Sequence, residues 1–160
     1  MSNYYKNDSG PHPYPWPYLN EICETQEELF MLIRDELPGV DEKWFIGAYM
    51  RSKARLLLDR GNPILANRSA RELAYTFIHE ECGGHYPRGD EWGGFLPGWT
   101  GHIYALYQWL YATPSAEVIE WFPLEAMEAF WRPYHTICYE AAVEKLHFAR
   151  EERQKALNGG

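Results

Sequence analysis

A chain of 160 residues with 16% aromatic side chains, including seven Trp and twelve Tyr, can bury a core of its own and is too rich in rings to be disordered. Its net charge of −8 argues against a surface built to neutralise phosphates, and favours encounter with a basic partner instead. Cys23, Cys82 and Cys138 are too few and too scattered for a disulfide framework. No stretch approaches the ~18 apolar residues of a membrane span and the start carries no signal-peptide pattern, so the expectation is a cytoplasmic protein with reduced thiols.

Residues 1–18 end in "PHPYPWPY", where Pro alternates with His or an aromatic. Such spacing favours extended polyproline II and excludes helix. It reads as an arm that lies on its own domain, the domain being 19–160.

Beyond the arm the patterning is helical throughout. "TQEELFMLIRDELPG" opens with a capping box, Thr25 with Glu28, and stops at Pro38-Gly39. A second helix is expected from Asp41 to about Arg60, closed by Gly61 and Pro63. "SARELAYTFIHEECGG" repeats the signature with Ser69 and Glu72, and stops at Gly83-Gly84. A fourth helix starts near Thr100 and ends before Pro114. Two short ones meet at Pro123, and a last runs from about Tyr134 to Leu157. No segment alternates apolar and polar with the period of a strand. The fold class is all-α, an irregular bundle of six or seven helices with a Pro-rich N-terminal arm and a long Gly/aromatic loop.

Charge is unevenly spread. Leu19 to Glu42 holds eight acids and one base, Arg34; Lys43 to Arg71 holds seven bases and one acid, Asp59. Two neighbouring helices of opposite sign would pair.

At ~100° per residue, Ala70, Leu73, Ala74, Phe77 and Ile78 form one apolar stripe, and Glu81 falls inside it. On the second helix Ile46, Met50, Ala54 and Leu57 form the apolar arc. Lys53 sits within that arc, while Arg51 and Arg55 lie on the polar side. Lys53 and Glu81 therefore lean inward, and with Tyr104, Gln108 and Tyr111 on the fourth helix they could line a polar pocket. On the last helix His135, Tyr139, Ala142, Leu146 and Ala149 read as a packing seam.

The stretch "HEECGGHYPRGDEWGGFLPGWTGH", His79 to His102, gathers three of the six histidines, one cysteine and seven glycines. A zinc-protease helix needs His at i and i+4; here the second His is six residues on, past two glycines, so that motif is absent. A looser site from His79, Cys82, His85 and His102 is the metal alternative, with zinc or another divalent ion. No nucleophile elbow and no phosphate-cradling glycine loop occurs. "PLEAMEAFW", as a would-be DNA-reading helix, carries two acids and no base, which argues against direct nucleic-acid binding.

"WTGHIYALYQW", "PSAEVIEWFPLEAM" and "YHTICYEAAVEKLH", spanning Trp99 to Leu146, resemble the C-terminal half of small uncharacterised helical proteins of bacterial genomes and mobile elements. The resemblance implies an accessory role, such as an antitoxin or an inhibitor of a defence system, and brings no site residues. The functional expectation is a non-enzymatic binding module without a cofactor. It would hold a protein with a basic surface that handles nucleic acid. Trp92, Phe95 and Trp99 would be the anchors, and Asp90, Glu91, Glu27 and Glu28 the charge. The alternatives are a metal-assisted hydrolase centred on residues 79–102 and a small-molecule binder using the polar pocket.

Overall fold

The computed structural model describes residues 12–159. The first eleven residues of the expected arm lie outside the described residues. The described chain is all-helical, with nine α-helices: α1 Leu19–Glu36, α2 Glu42–Met50, α3 Lys53–Asp59, α4 Pro63–Ala66, α5 Ala70–Thr76, α6 Leu96–Leu110, α7 Ser115–Trp121, α8 Leu124–Tyr134 and α9 Tyr139–Gly159. Among the described residues no β-strand forms, and Val40 and Arg88 make one isolated antiparallel bridge.

The helix α6 is the axis of the molecule. Every residue from Leu96 to Trp109 is buried, which requires neighbours on all sides. Its closest neighbour is α1. At Gly101 a Cβ would stand 2.6 Å from the backbone oxygen of Gln26, so only glycine allows the two helices to cross this tightly. Leu19, Ile22, Cys23, Gln26, Phe30 and Ile33 of α1 face this crossing at helical spacing. Ala142, Val143 and Leu146 seal the other side from α9, whose last nine residues are exposed.

Several boundaries differ from the sequence reading, each for a physical reason. The first helix begins at Leu19, not at Thr25, because a 3-10 turn over Trp16–Tyr18 feeds directly into it; Thr25 is then interior and its capping box is unused. The expected helix 41–60 is two helices. Ser52 accepts from the Arg55 amide as N-cap, and the Glu81 carboxylate accepts from the Lys53 and Ala54 amides at 2.8 and 3.0 Å. This break resets the helical phase. Arg55, assigned to the polar side, is fully buried, and Lys53, assigned to the apolar arc, is exposed.

The Ser69–Glu72 capping box is present on α5. After Thr76 the helix widens into a π turn over Phe77–Glu81, which takes Glu81 out of the core stripe and leaves it exposed, reaching for α3. Helix α6 starts at Leu96, with Pro97 in its first turn, four residues before the expected start. Helix α8 runs through Pro133 to Tyr134, so the last helix starts at Tyr139. His135 is therefore an exposed turn residue stacked on Trp131, not the first residue of the α9 seam.

Candidate functional site

Three polar clusters interrupt the apolar interior. The deepest is built on Arg55. Its Nε donates to Ser115 Oγ at 2.8 Å and lies 3.3 Å from Asp59 Oδ1; one Nη donates to Gln108 Oε1. Asp59 also accepts from the amide and hydroxyl of Ser115, at 2.7 and 2.6 Å, and so joins α3 to the first turn of α7. The ion pair is i,i+4 on a helix of seven residues and is out of water. Burial pushes the nearby Tyr49 hydroxyl up to about 12, and the Tyr14 hydroxyl and Cys23 thiol well above their ordinary values. The Cys23 thiol is thereby kept protonated and inert.

The second cluster joins α1, α6 and α9. Glu27 accepts from His102 Nδ1 at 2.9 Å and from the Tyr139 hydroxyl at 3.1 Å, while the His102 and Tyr139 rings stack at 3.6 Å. The His102 bond holds the Glu27 carboxyl below the usual carboxylate range. His102 Nε2 is buried and faces no hydrogen-bond partner. An imidazole oriented by a carboxylate can serve as a general base, but no hydroxyl or thiol of the described residues hydrogen-bonds to its Nε2.

The third cluster fixes the loop before α6. Glu42, fully buried at the start of α2, accepts from Arg34 at 3.0 Å and from the Trp92 amide at 3.0 Å. Arg34 also donates to Gly94 O and stands 4.0 Å from Glu91. Asp41 donates its amide to Pro87 O, Gly89 to Gly39 O, and Glu42 to Asp90 O. The Trp92 indole N–H donates to Glu128 of α8 at 2.6 Å, which draws that carboxyl down. Residues 87–94 are therefore strapped to α2 by both backbone and side chains.

The predicted anchors stand in different surroundings: Trp92 within the strap, Trp99 inside α6 and Phe95 between them. Trp92 and Trp99 are buried, so neither offers its ring to solvent. Phe95 is 77% exposed, one turn before Trp99 on the same side of α6. Trp99 meets Trp131 edge-on at 5.7 Å, and Trp131 stacks on the exposed His135 at 4.2 Å. Trp131 and the exposed His135 thus form a stacked pair beside the buried Trp99, and Phe95 stands one helical turn before Trp99. Asp90 and Glu28 are exposed.

The five residues of the predicted polar pocket are divided. Lys53 and Glu81 line one groove of about 330 Å³ with Leu57, Leu65 and Arg68. Gln108 lines another, of about 390 Å³, beside Asp59 and Ala112. Tyr104 is buried and donates to Phe122 O, and Tyr111 stacks on His147 at 3.7 Å.

The four metal candidates do not assemble either. His79 packs on Tyr75, Cys82 is half-buried with its thiol raised by burial, His85 is exposed, and His102 belongs to Glu27. Among the described residues no group of three or more His, Cys, Asp and Glu side chains is placed to hold a metal ion.

Sequence reasoning missed Arg34, Glu42, Arg55, Asp59 and Glu128. Glu42 follows an N-cap aspartate and reads as an ordinary first-turn acid. Nothing in local periodicity marks it as buried.

No family model, curated protein or solved structure matches this chain. No helix among the described residues is long and apolar enough to cross a membrane.

Proposed function

We propose that the chain is an acidic, non-enzymatic protein-binding module, accessory or inhibitory in the manner of an antitoxin or an inhibitor of a defence system. Its partner is a protein with a basic surface, of the kind that handles nucleic acid. One observation carries the reading: the bare ring of Phe95 stands at the end of a strap that Glu42, Arg34 and Glu128 hold in place. An aromatic presented on a pre-ordered segment loses little entropy on binding, which is the property of an interface anchor. The net charge of −8 supplies the attraction for a basic partner.

The partner is to be sought by affinity purification from the cells that make the protein, at two salt concentrations, with Phe95→Ala as the comparison. The reading expects a partner that Phe95→Ala loses by about tenfold or more in affinity. It also expects association to slow as salt rises, while melting of the free protein is unchanged by the substitution. A protein that purifies alone, or a complex indifferent to Phe95, overturns it.

A further inference from the structure

We infer that one internal water molecule is a structural member of the Arg55 cluster, bridging Arg55 Nη1 to Gln26 Oε1. Three observations meet at one place. Arg55 Nη1 is buried without a hydrogen-bond partner, and so is Gln26 Oε1. Both residues line a narrow shaft, with Tyr49, Thr25 and Arg68 among apolar walls from Ile22, Leu58 and Leu65. The shaft admits a water-sized sphere over about 10 Å³, which is room for a single water.

The chemistry of the two ends selects the guest. A guanidinium N–H offers a donor only, so the guest must accept from it. The Gln26 amide cannot turn round, because its Nε2 donates to Gly101 O at 2.8 Å and a carbonyl in that place would face another carbonyl. Oε1 therefore faces the shaft, and the guest must donate to it. Water does both. A halide cannot donate, so it would leave the Gln26 oxygen unpaired even though two arginines line the shaft. The bridge ties the α1–α6 crossing, through Gln26 and Gly101, to Arg55 of α3 and hence to Ser115 of α7.

The test is a crystal structure of the whole chain to about 1.5 Å, from crystals grown with sodium bromide in place of chloride. A single peak within about 2.6–3.2 Å of both Arg55 Nη1 and Gln26 Oε1, without anomalous bromine signal, is the expected result. Anomalous signal there makes the shaft an anion site and overturns the inference. So does a dry shaft in which Nη1 bonds directly to protein. In solution, a water cross-relaxation signal at the Gln26 side-chain amide is expected in the native protein and lost in Leu65→Phe, whose larger ring takes up the space of the shaft while leaving both polar residues in the sequence. Persistence of the signal in that variant would count against the assignment.

Discussion

Arg34 and Arg55 are each held by a carboxylate, yet the two pairs do different work. The Arg55–Asp59 pair is enclosed, its partners spread over α3, α6 and α7. The Arg34–Glu42 pair lies at the edge: the carboxylate is fully buried but the Arg34 side chain is 20% exposed, and what it fastens is a strap of loop. An enclosed pair is part of the fold itself, because losing one partner leaves a charge with nowhere to go. A pair at the edge can fail locally, since water reaches the survivor. The contrast predicts one cluster whose loss unfolds the protein and another whose loss only frees its binding surface.

Asp59→Ala tests the first half most severely. It strands the Arg55 guanidinium in the core and removes the acceptor for Ser115. A loss of about 3–5 kcal/mol in urea unfolding is expected, with all probes changing together. A loss under about 1 kcal/mol would show that the enclosed pair is dispensable.

Glu42→Gln tests the second half. It weakens the charge-assisted bonds to Arg34 and Trp92, and a loss of about 2 kcal/mol is expected. Hydrogen exchange should rise across residues 87–94 well before it rises in α6. If exchange instead rises evenly over the whole chain, the distinction between the two pairs is gone.

Ala112 sharpens the comparison from a point beside the enclosed pair. It closes α6 with φ of +46°, and Thr113 donates back to Gln108 O in the manner of a glycine-type stop. Ala112→Gly should raise stability by about 0.5–1 kcal/mol, measured by thermal or urea unfolding. No gain would mean that the side chain's packing offsets its backbone strain.

The smallest effect concerns α9 and pH. Partial burial draws the His147 imidazole below its usual value of 6.5, where its Nδ1 meets the Tyr107 hydroxyl at 2.8 Å. The unfolded chain therefore takes up this proton first as pH falls. Stability from this group is constant above about pH 6.5, declines as pH falls from there to the lowered folded value, and is flat below it. His147→Phe should flatten that part of the pH–stability profile. An unchanged slope would assign it to another group.

The outcome at particular residues shows how far sequence reasoning reached. The join at Pro123 and the capping box at Ser69 and Glu72 were readable because their physics is complete within a few residues. Arg55 was not. Counting ~100° per residue from Ile46 placed it in water, because the count ran through Arg51 and Ser52, where the helix stops. The new start is capped by Ser52 and by Glu81, which lies 28 residues from Lys53 and reaches α3 from a π turn. The candidate anchors divide in the same way. Phe95, Trp92 and Trp99 look alike as rings in a glycine-rich stretch, yet Trp92 is buried by the strap to Glu42 and Glu128, Trp99 by its place in α6 against Trp131, and Phe95 is left exposed.

The sequence by itself determined the all-helical class, the acidic character and the absence of a helical zinc motif, because periodicity, charge and ligand spacing are local or additive properties. Only the tertiary structure decided which charges are buried, which aromatic is bare and where the long second helix breaks. Those depend on partners distant in sequence: Glu81 for α3, Ser115 for Arg55, and Glu128 for Trp92.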